Sequence, residues 1–205
     1  FANIVKTTNR LRLLTVLTVC DIRGVGPEVW NNWKAVMIRT LFYKTQNMLK
    51  ENFETASRPE QIENAKSALR KELKNWDKSK LENEINRHNT GFYLGLTLQT
   101  QTIFSNLSKN NEKVNVNSKV QTDTSRDATK VCFLIEDHPG IFSRLAGAIA
   151  LSGANVIDAR TYTTSDGYAT SVFWIQSNEG KPFEENRLSK LNKTINEALK
   201  GQIIA

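Results

Sequence analysis

The chain has 205 residues, 28 Lys+Arg against 21 Asp+Glu, a formal net charge of +7 and 39% hydrophobic residues. That length admits one large domain or two small ones with a sizeable core, and 24% charged residues exclude wholesale disorder. No apolar run reaches the roughly 18 residues that span a bilayer. Cys20 and Cys132 form neither a CxxC pair nor a disulfide framework, which fits a reducing cytoplasm. The first residue is Phe1 rather than Met, with no signal-peptide pattern behind it, so the chain is expected to be a piece of a longer protein.

The positive charge does not mark a nucleic-acid binder. Lys and Arg are spread along the chain among Glu and Asn, and no stretch joins clustered basic residues to regularly spaced aromatics. Solvated helix faces account for them.

The first half reads as helix. Arg10–Ile22 carries Leu11, Leu14 and Thr18 on one face, although its β-branched residues also suit a buried strand. Arg23-Gly24-Val25-Gly26-Pro27 is a turn, and Pro27 with Glu28 suits the first turn of a helix running to about Leu49. Trp30, Trp33 and Met37, with Ile38, Leu41 and Phe42, recur at spacings of three and four, the pattern of core rather than of a cofactor box. Ser57-Arg58-Pro59-Glu60 has capping-box spacing and opens a polar helix to about Trp76. A shorter helix with Leu81 and Ile85 runs to His88, a histidine expected at the surface, and Asn89-Thr90-Gly91 ends it. Phe92–Leu107 fits either period and is read as one helix.

From Asn106 the chain turns rich in Asn, Ser, Lys and Thr, as an exposed connection would. Within it Val114, Val116, Val120 and Thr122 hint at an edge strand, with a hairpin through Ser125-Arg126-Asp127. Strand and helix then alternate. Lys130–Glu136 is a strand with Val131, Phe133 and Ile135 on one face and Cys132 and Leu134 on the other. A helix follows from Ile141 to Ser152, then strands Asn155–Thr163 and Tyr168–Gln176 joined by Ser165-Asp166-Gly167, then a helix from about Glu184 to Leu199. The order βαββα is five sixths of a ferredoxin-like βαββαβ unit, whose last strand is expected where the chain ends.

Asp137-His138-Pro139-Gly140-Ile141 is the most informative loop. Pro139 has no N–H for the strand ladder, Gly140 permits close approach of a ligand or another chain, and the helix beginning at Ile141 offers its positive end to a small anion such as an amino-acid carboxylate. Asn155 at the start of the next strand is expected to reach the same edge. A tight turn without a ligand fits these residues equally well. His138 is given at most a tuning role.

These residues, with Ser152-Gly153-Ala154-Asn155 and Asp166-Gly167, make Val131 to about Gly201 resemble an ACT domain, a regulatory module that often binds an amino acid at this loop, usually across a paired domain. Leu17-Thr18-Val19-Cys20-Asp21-Ile22-Arg23-Gly24-Val25-Gly26-Pro27, then Trp30-Asn31-x-Trp33-Lys34 and Arg39-Thr40-Leu41-Phe42-Tyr43, resemble the bifunctional PII uridylyltransferase/uridylyl-removing family, in which such a segment closes an HD phosphohydrolase domain ahead of two ACT domains.

The resemblance implies an α+β chain. Residues 1–105 would be the end of an HD-type helical domain and its connector, 106–129 a linker with an edge strand, and 130–205 an ACT domain truncated before its last strand. It implies an enzyme that transfers UMP from UTP to a tyrosine of the PII signalling protein when glutamine is scarce and hydrolyses it off when glutamine is plentiful. Such an enzyme is cytoplasmic and binds neither membrane nor nucleic acid.

Asp21 matches the late aspartate of the HD ligand set for Mg²⁺ or Mn²⁺. Asp137, Pro139, Gly140, Ile141, Asn155, Val156 and Ile157 match the effector contacts, with glutamine as the effector and a paired ACT domain as partner. The piece alone would be inactive, since the transferase centre and the other HD ligands lie outside it. Two rival readings stand beside this one. One is a self-contained amino-acid-binding module with a helical arm. The other is a fragment of a guanosine polyphosphate synthetase/hydrolase, disfavoured because only about a hundred residues separate Asp21 from the first strand of the ACT-like unit. Gly24-x-Gly26 lacks the third glycine of a dinucleotide fingerprint.

Overall fold

The computed structural model describes residues 1–26, 29–50, 58–109 and 116–201. It divides into two compact units, residues 1–57 and 58–205.

The first unit holds α1 (Ala2–Val5), α2 (Thr8–Val25) and α3 (Asn32–Lys50). The Thr7 hydroxyl caps α2 by accepting from the Arg10 N–H at 3.2 Å. The third helix starts at Asn32, because the Asn31 side chain caps it by accepting from the Lys34 N–H at 3.0 Å. Trp30 therefore precedes the helix, while Pro27 and Glu28 lie outside the described residues. The aromatic stripe expected as core is not covered within this unit: Trp33, Met37 and Leu41 are 42%, 49% and 48% exposed. Helices this few have too little mass to bury every apolar face they carry.

The second unit is a four-stranded antiparallel sheet between two helical layers. Its helices are α4 (Arg58–Glu72), α5 (Lys78–Arg87), α6 (Thr90–Gly95), α7 (Leu98–Lys109), α8 (Ile141–Leu151) and α9 (Glu185–Leu199). Its strands are β1 (Val116–Asp123), β2 (Ala128–Glu136), β3 (Asn155–Thr163) and β4 (Tyr168–Gln176), ordered β1-β2-β4-β3. The α+β class read from the sequence holds. The edge strand hinted at by Val116 and Val120 is β1, paired to β2 from Val116↔Ile135 to Asp123↔Ala128. Val114 and the Ser57 capping position lie outside the described residues. The stretch read as an exposed connection is therefore largely structured: its first residues complete α7, and Ala128 and Thr129 are fully buried.

Alternation along β2 and β4 sends side chains to both layers. Val131, Phe133, Ile135, Ala169, Phe173 and Ile175 join Ile141, Leu145 and Ile149 of α8 and Leu191, Ile195 and Leu199 of α9 in one core. Cys132, Val172 and Trp174 join Leu69, Ile85, Phe92 and Phe104 from α4–α7 in a second.

The 92–107 run is two helices rather than one. Asn89 caps α6 by accepting from the Phe92 N–H at 3.0 Å. Leu96 is extended, and the Gln101 side-chain amide donates to its carbonyl at 2.9 Å. The bend lets Phe92 and Phe104 both reach the sheet, which one straight helix would not. The helix expected to reach Trp76 stops at Glu72, because Asp77 caps α5 by accepting from Ser79 and Lys80 N–H groups.

Close packing ties α6 to β3. A methyl group on Gly95 would overlap the Tyr162 hydroxyl, and Arg160 donates to the Gly95 carbonyl. We expect Gly95→Ala to cost about 2 kcal/mol and Tyr162→Phe to restore part of that loss, read by urea denaturation of the two single variants and the double. Strictly additive losses would contradict this packing.

Candidate functional site

The loop after β2 forms as its residue types require. The ladder stops at Glu136, ahead of Pro139, and Gly140 takes the left-handed conformation at φ 85° as the N-cap of α8. A Cβ at Gly140 would meet nothing within 4 Å, so the loop faces open space. No side chain caps α8, while Ile141 is buried and anchors the helix start in the core. Asp137, His138 and Pro139 are exposed.

Asp137 is held on both its backbone and its side chain. Its N–H donates to the Gly167 carbonyl at 2.8 Å, and its carboxylate accepts from the Thr163 hydroxyl at 2.6 Å. The loop is thus fastened to the β3–β4 hairpin. His138 Nδ1 lies 3.1 Å from the Pro139 carbonyl, a local contact within the loop.

Asn155, Val156 and Ile157 do not join this loop within one chain. Glu136 pairs with Tyr168 and Thr163 with Ala169 at one end of the sheet, whereas Asn155 pairs with Gln176 at the other. Eight strand residues separate the two ends, about 25 Å. The Asn155 amide donates instead to the Asn178 side chain at 3.3 Å. Ile157 is the unpaired residue of a β-bulge between Val156 and Asp158 and packs toward the α4–α7 core. The expectation that Asn155 reaches the Asp137 edge fails because a crossover helix between parallel strands returns the chain to the starting end of the sheet.

Asp21 is exposed near the end of α2. Among the described residues no group of three His, Cys, Asp or Glu side chains is placed to hold a metal ion. One carboxylate does not hold Mg²⁺ or Mn²⁺, so the described residues do not fit that metal.

A polar cluster beside the same hairpin was not read from the sequence. His88 is buried rather than exposed, with its ring stacked on Phe92 at 3.7 Å. Its Nε2 lies 3.0 Å from the Glu84 carboxylate, and its Nδ1 is buried without a hydrogen-bond partner. Arg87 joins this Glu84 at 3.3 Å and Asp166 at 2.9 Å and donates to the Ser108 hydroxyl at 2.5 Å. Burial pushes the Glu84 carboxyl up, but hydrogen bonds from His88 and Ser105 and the neighbouring charges outweigh it and hold the group below the usual value. The available signal was Glu84-x-x-Arg87-His88, which aligns all three side chains on one helix face. A cleft of about 510 Å³ adjoins the cluster, bordered by Trp76, Lys80 and Lys109.

This is a ferredoxin-like α+β domain with an open glycine loop at the start of a crossover helix. Along its full length the chain is similar to a segment of bifunctional uridylyltransferase/uridylyl-removing enzymes, as the motifs read from the sequence implied. It is 49% identical over 205 residues to that of Cereibacter sphaeroides, covering 100% of this chain and 22% of the relative. Against that of Ruegeria pomeroyi it is 47% identical over 209 residues, covering 100% of the chain and 23% of the relative. Against that of Azospirillum brasilense it is 36% identical over 209 residues, covering 99% of the chain and 22% of the relative. The chain therefore spans about a fifth of the length of these relatives. No family model and no solved structure matches it. Among the described residues no helix is long and apolar enough to cross a membrane.

Two outcomes test the buried groups. Because Glu84 titrates below the usual 4.5 when folded, its contribution is complete above that pH and drains away as pH falls through the folded-state value. Glu84→Gln should therefore lose about 2 kcal/mol at neutral pH, and the gap to the parent should shrink under acid in urea titrations. A gap independent of pH would contradict the assignment. Separately, burial pushes the Cys132 thiol up to about 12, while Cys20 is exposed. A maleimide should label Cys20 alone in the folded chain and both thiols in denaturant; native labelling of Cys132 would contradict the packing.

Proposed function

We propose that this chain is the regulatory portion of a bifunctional enzyme that adds UMP to the PII protein from UTP and removes it again, and that it senses glutamine through an ACT domain. Residues 1–105 close an HD-type domain and connect it onward, and 130–205 form the ACT domain, to which β1 (Val116–Asp123), within the stretch 106–129, adds the edge strand beside β2 in the place expected for a strand after α9. The observation that carries this reading is full-length similarity, at 49% identity, to a segment covering 22% of such an enzyme. The piece is catalytically inert by itself, since Asp21 alone does not make a metal centre.

The loop geometry supports an effector role. Gly140 leaves room for a carboxylate at the positive end of α8, and the effector is completed by a paired domain. β3 is an outer strand. Antiparallel pairing of two β3 strands would carry the partner's Asn155–Ile157 segment to the Asp137 end of the first domain, which closes the 25 Å gap that one chain leaves open.

The test combines calorimetry with sedimentation. The isolated chain should bind glutamine weakly or not at all when monomeric, should bind more as it self-pairs, and should neither transfer nor hydrolyse UMP with Mg²⁺ or Mn²⁺ present. Asn155→Ala should remove the pairing-dependent binding. Tight, stoichiometric glutamine binding by a monomer would overturn the reading.

A further inference from the structure

The β3–β4 hairpin is held from two sides. On one side Thr163 and Gly167 hold the side chain and backbone of Asp137, at 2.6 and 2.8 Å. On the other, Asp166 pairs with Arg87 at 2.9 Å and the Ser165 N–H donates to the Arg87 carbonyl at 2.9 Å. The Asn89 amide adds a bond to the Thr163 carbonyl at 3.3 Å. Residues 163–167 thus carry contacts to the glycine loop and to the end of α5 within a single tight turn. That turn is itself rigid: the Thr164 hydroxyl accepts from the Tyr168 N–H at 2.9 Å, and Gly167 takes the φ of 83° that the bend requires.

Arg87 is also the point where the helical layer converges. Its guanidinium joins Glu84 within α5, Ser108 of α7 and Asp166 of the hairpin, and lies over the Tyr168 ring at 5.4 Å. It is nearly buried, with 12% of its side chain exposed, so its contact to the buried Glu84 is little screened by water, whereas its Asp166 partner is half exposed. The hydrogen-bonding capacity of the guanidinium is directed at fixed partners, and a shift of the hairpin changes the Asp166 contact first.

We propose that Arg87 is the coupling residue between the Asp137–Ile141 loop and the α4–α7 layer, with the β3–β4 hairpin as the element that both bias. A ligand that draws on the loop shifts the balance of Asp137 between Thr163 and the ligand. The hairpin follows, and the Arg87–Asp166 pair tightens or loosens with it. This names the regulation of the site proposed above and rests on that reading for the identity of the ligand, but the mechanical link exists without one. Coupling of this kind is reciprocal: what the loop does to α5, α5 does to the loop.

The experiment reads single-amide hydrogen exchange by NMR in the intact chain, with the Phe104 and Phe173 amides as controls for global stability. Arg87→Gln breaks the junction, and Asp166→Asn breaks it while leaving the Glu84, Arg87 and Ser108 contacts in place should the first variant fold poorly. Either should speed exchange at Asp137 by at least about fivefold. Thr163→Val, made at the loop side, should speed exchange at Ser165 and at the last turn of α5 by a similar factor. Loop amides that hold their parent rates while the Ser165 amide exchanges faster, or a one-way effect, would overturn the proposal. Glutamine supplies the arm that separates the two readings. Protection of the loop without any change in α5 overturns the coupling and leaves the ligand assignment standing. Reciprocal transfer between the variants, with no effect of glutamine anywhere, supports the coupling and removes the ligand assignment.

Discussion

From Ala128 to Ile135 every residue of β2 is buried, and β4 is buried from Ala169 to Gln176. Strands with no solvent face need cover on both sides of the sheet. The α8–α9 layer supplies one side through Leu145, Ile149, Leu191 and Ile195, and α4–α7 supply the other through Leu69, Ile85, Phe92 and Phe104. The rest of the domain follows from that requirement. It makes the polar helices before the sheet part of the same packed unit, and it brings α5 to the β3–β4 hairpin. Buried polar groups such as Lys130 appear between layers, with its ammonium donating to Thr100 at 3.1 Å and lying 3.8 Å from Asp123.

The consequence for function is that the glycine loop and the helical layer share a neighbour. A sheet covered on one face alone would leave the hairpin without its contact to α5. Here Asp137 sits on one side of it and Arg87 on the other. Coupling between the loop and the helical layer needs such a shared element, because a ligand moves an equilibrium only through contacts that differ between its states. The loop residues and the segment around Asn155 are at opposite ends of the sheet, so a complete effector site of the proposed kind calls for two domains. An outer β3 strand gives the pairing surface.

Much of this was legible from local pattern. The alternation of Val131, Phe133 and Ile135 against Cys132 and Leu134, the Asp166-Gly167 turn and the Ile141-Leu145-Ile149 stripe are short-range signals, and the α+β class follows from them. The bend at Leu96 was not, because Phe92–Leu107 fits both periods and the break depends on Gln101 reaching back to the Leu96 carbonyl. His88 reads as a surface residue from its polar neighbours, and only tertiary packing reveals that Phe92 and Glu84 enclose it. The separation of Asn155 from Asp137 was available in principle from the parallel crossover, a topological argument rather than a motif. The exposed stripe on α3 has the periodicity of core without the mass to cover it in its own unit.

The central claim is that the α4–α7 layer and the sheet are one cooperative body, since coupling between loop and α5 has no meaning otherwise. Native-state hydrogen exchange across increasing denaturant tests it most directly. Amides of Leu69, Ile85 and Phe104 should merge with those of Val131 and Phe173 into a single opening transition of one free energy and one denaturant slope. A helical layer that opens at lower free energy, leaving the sheet protected, would contradict the account.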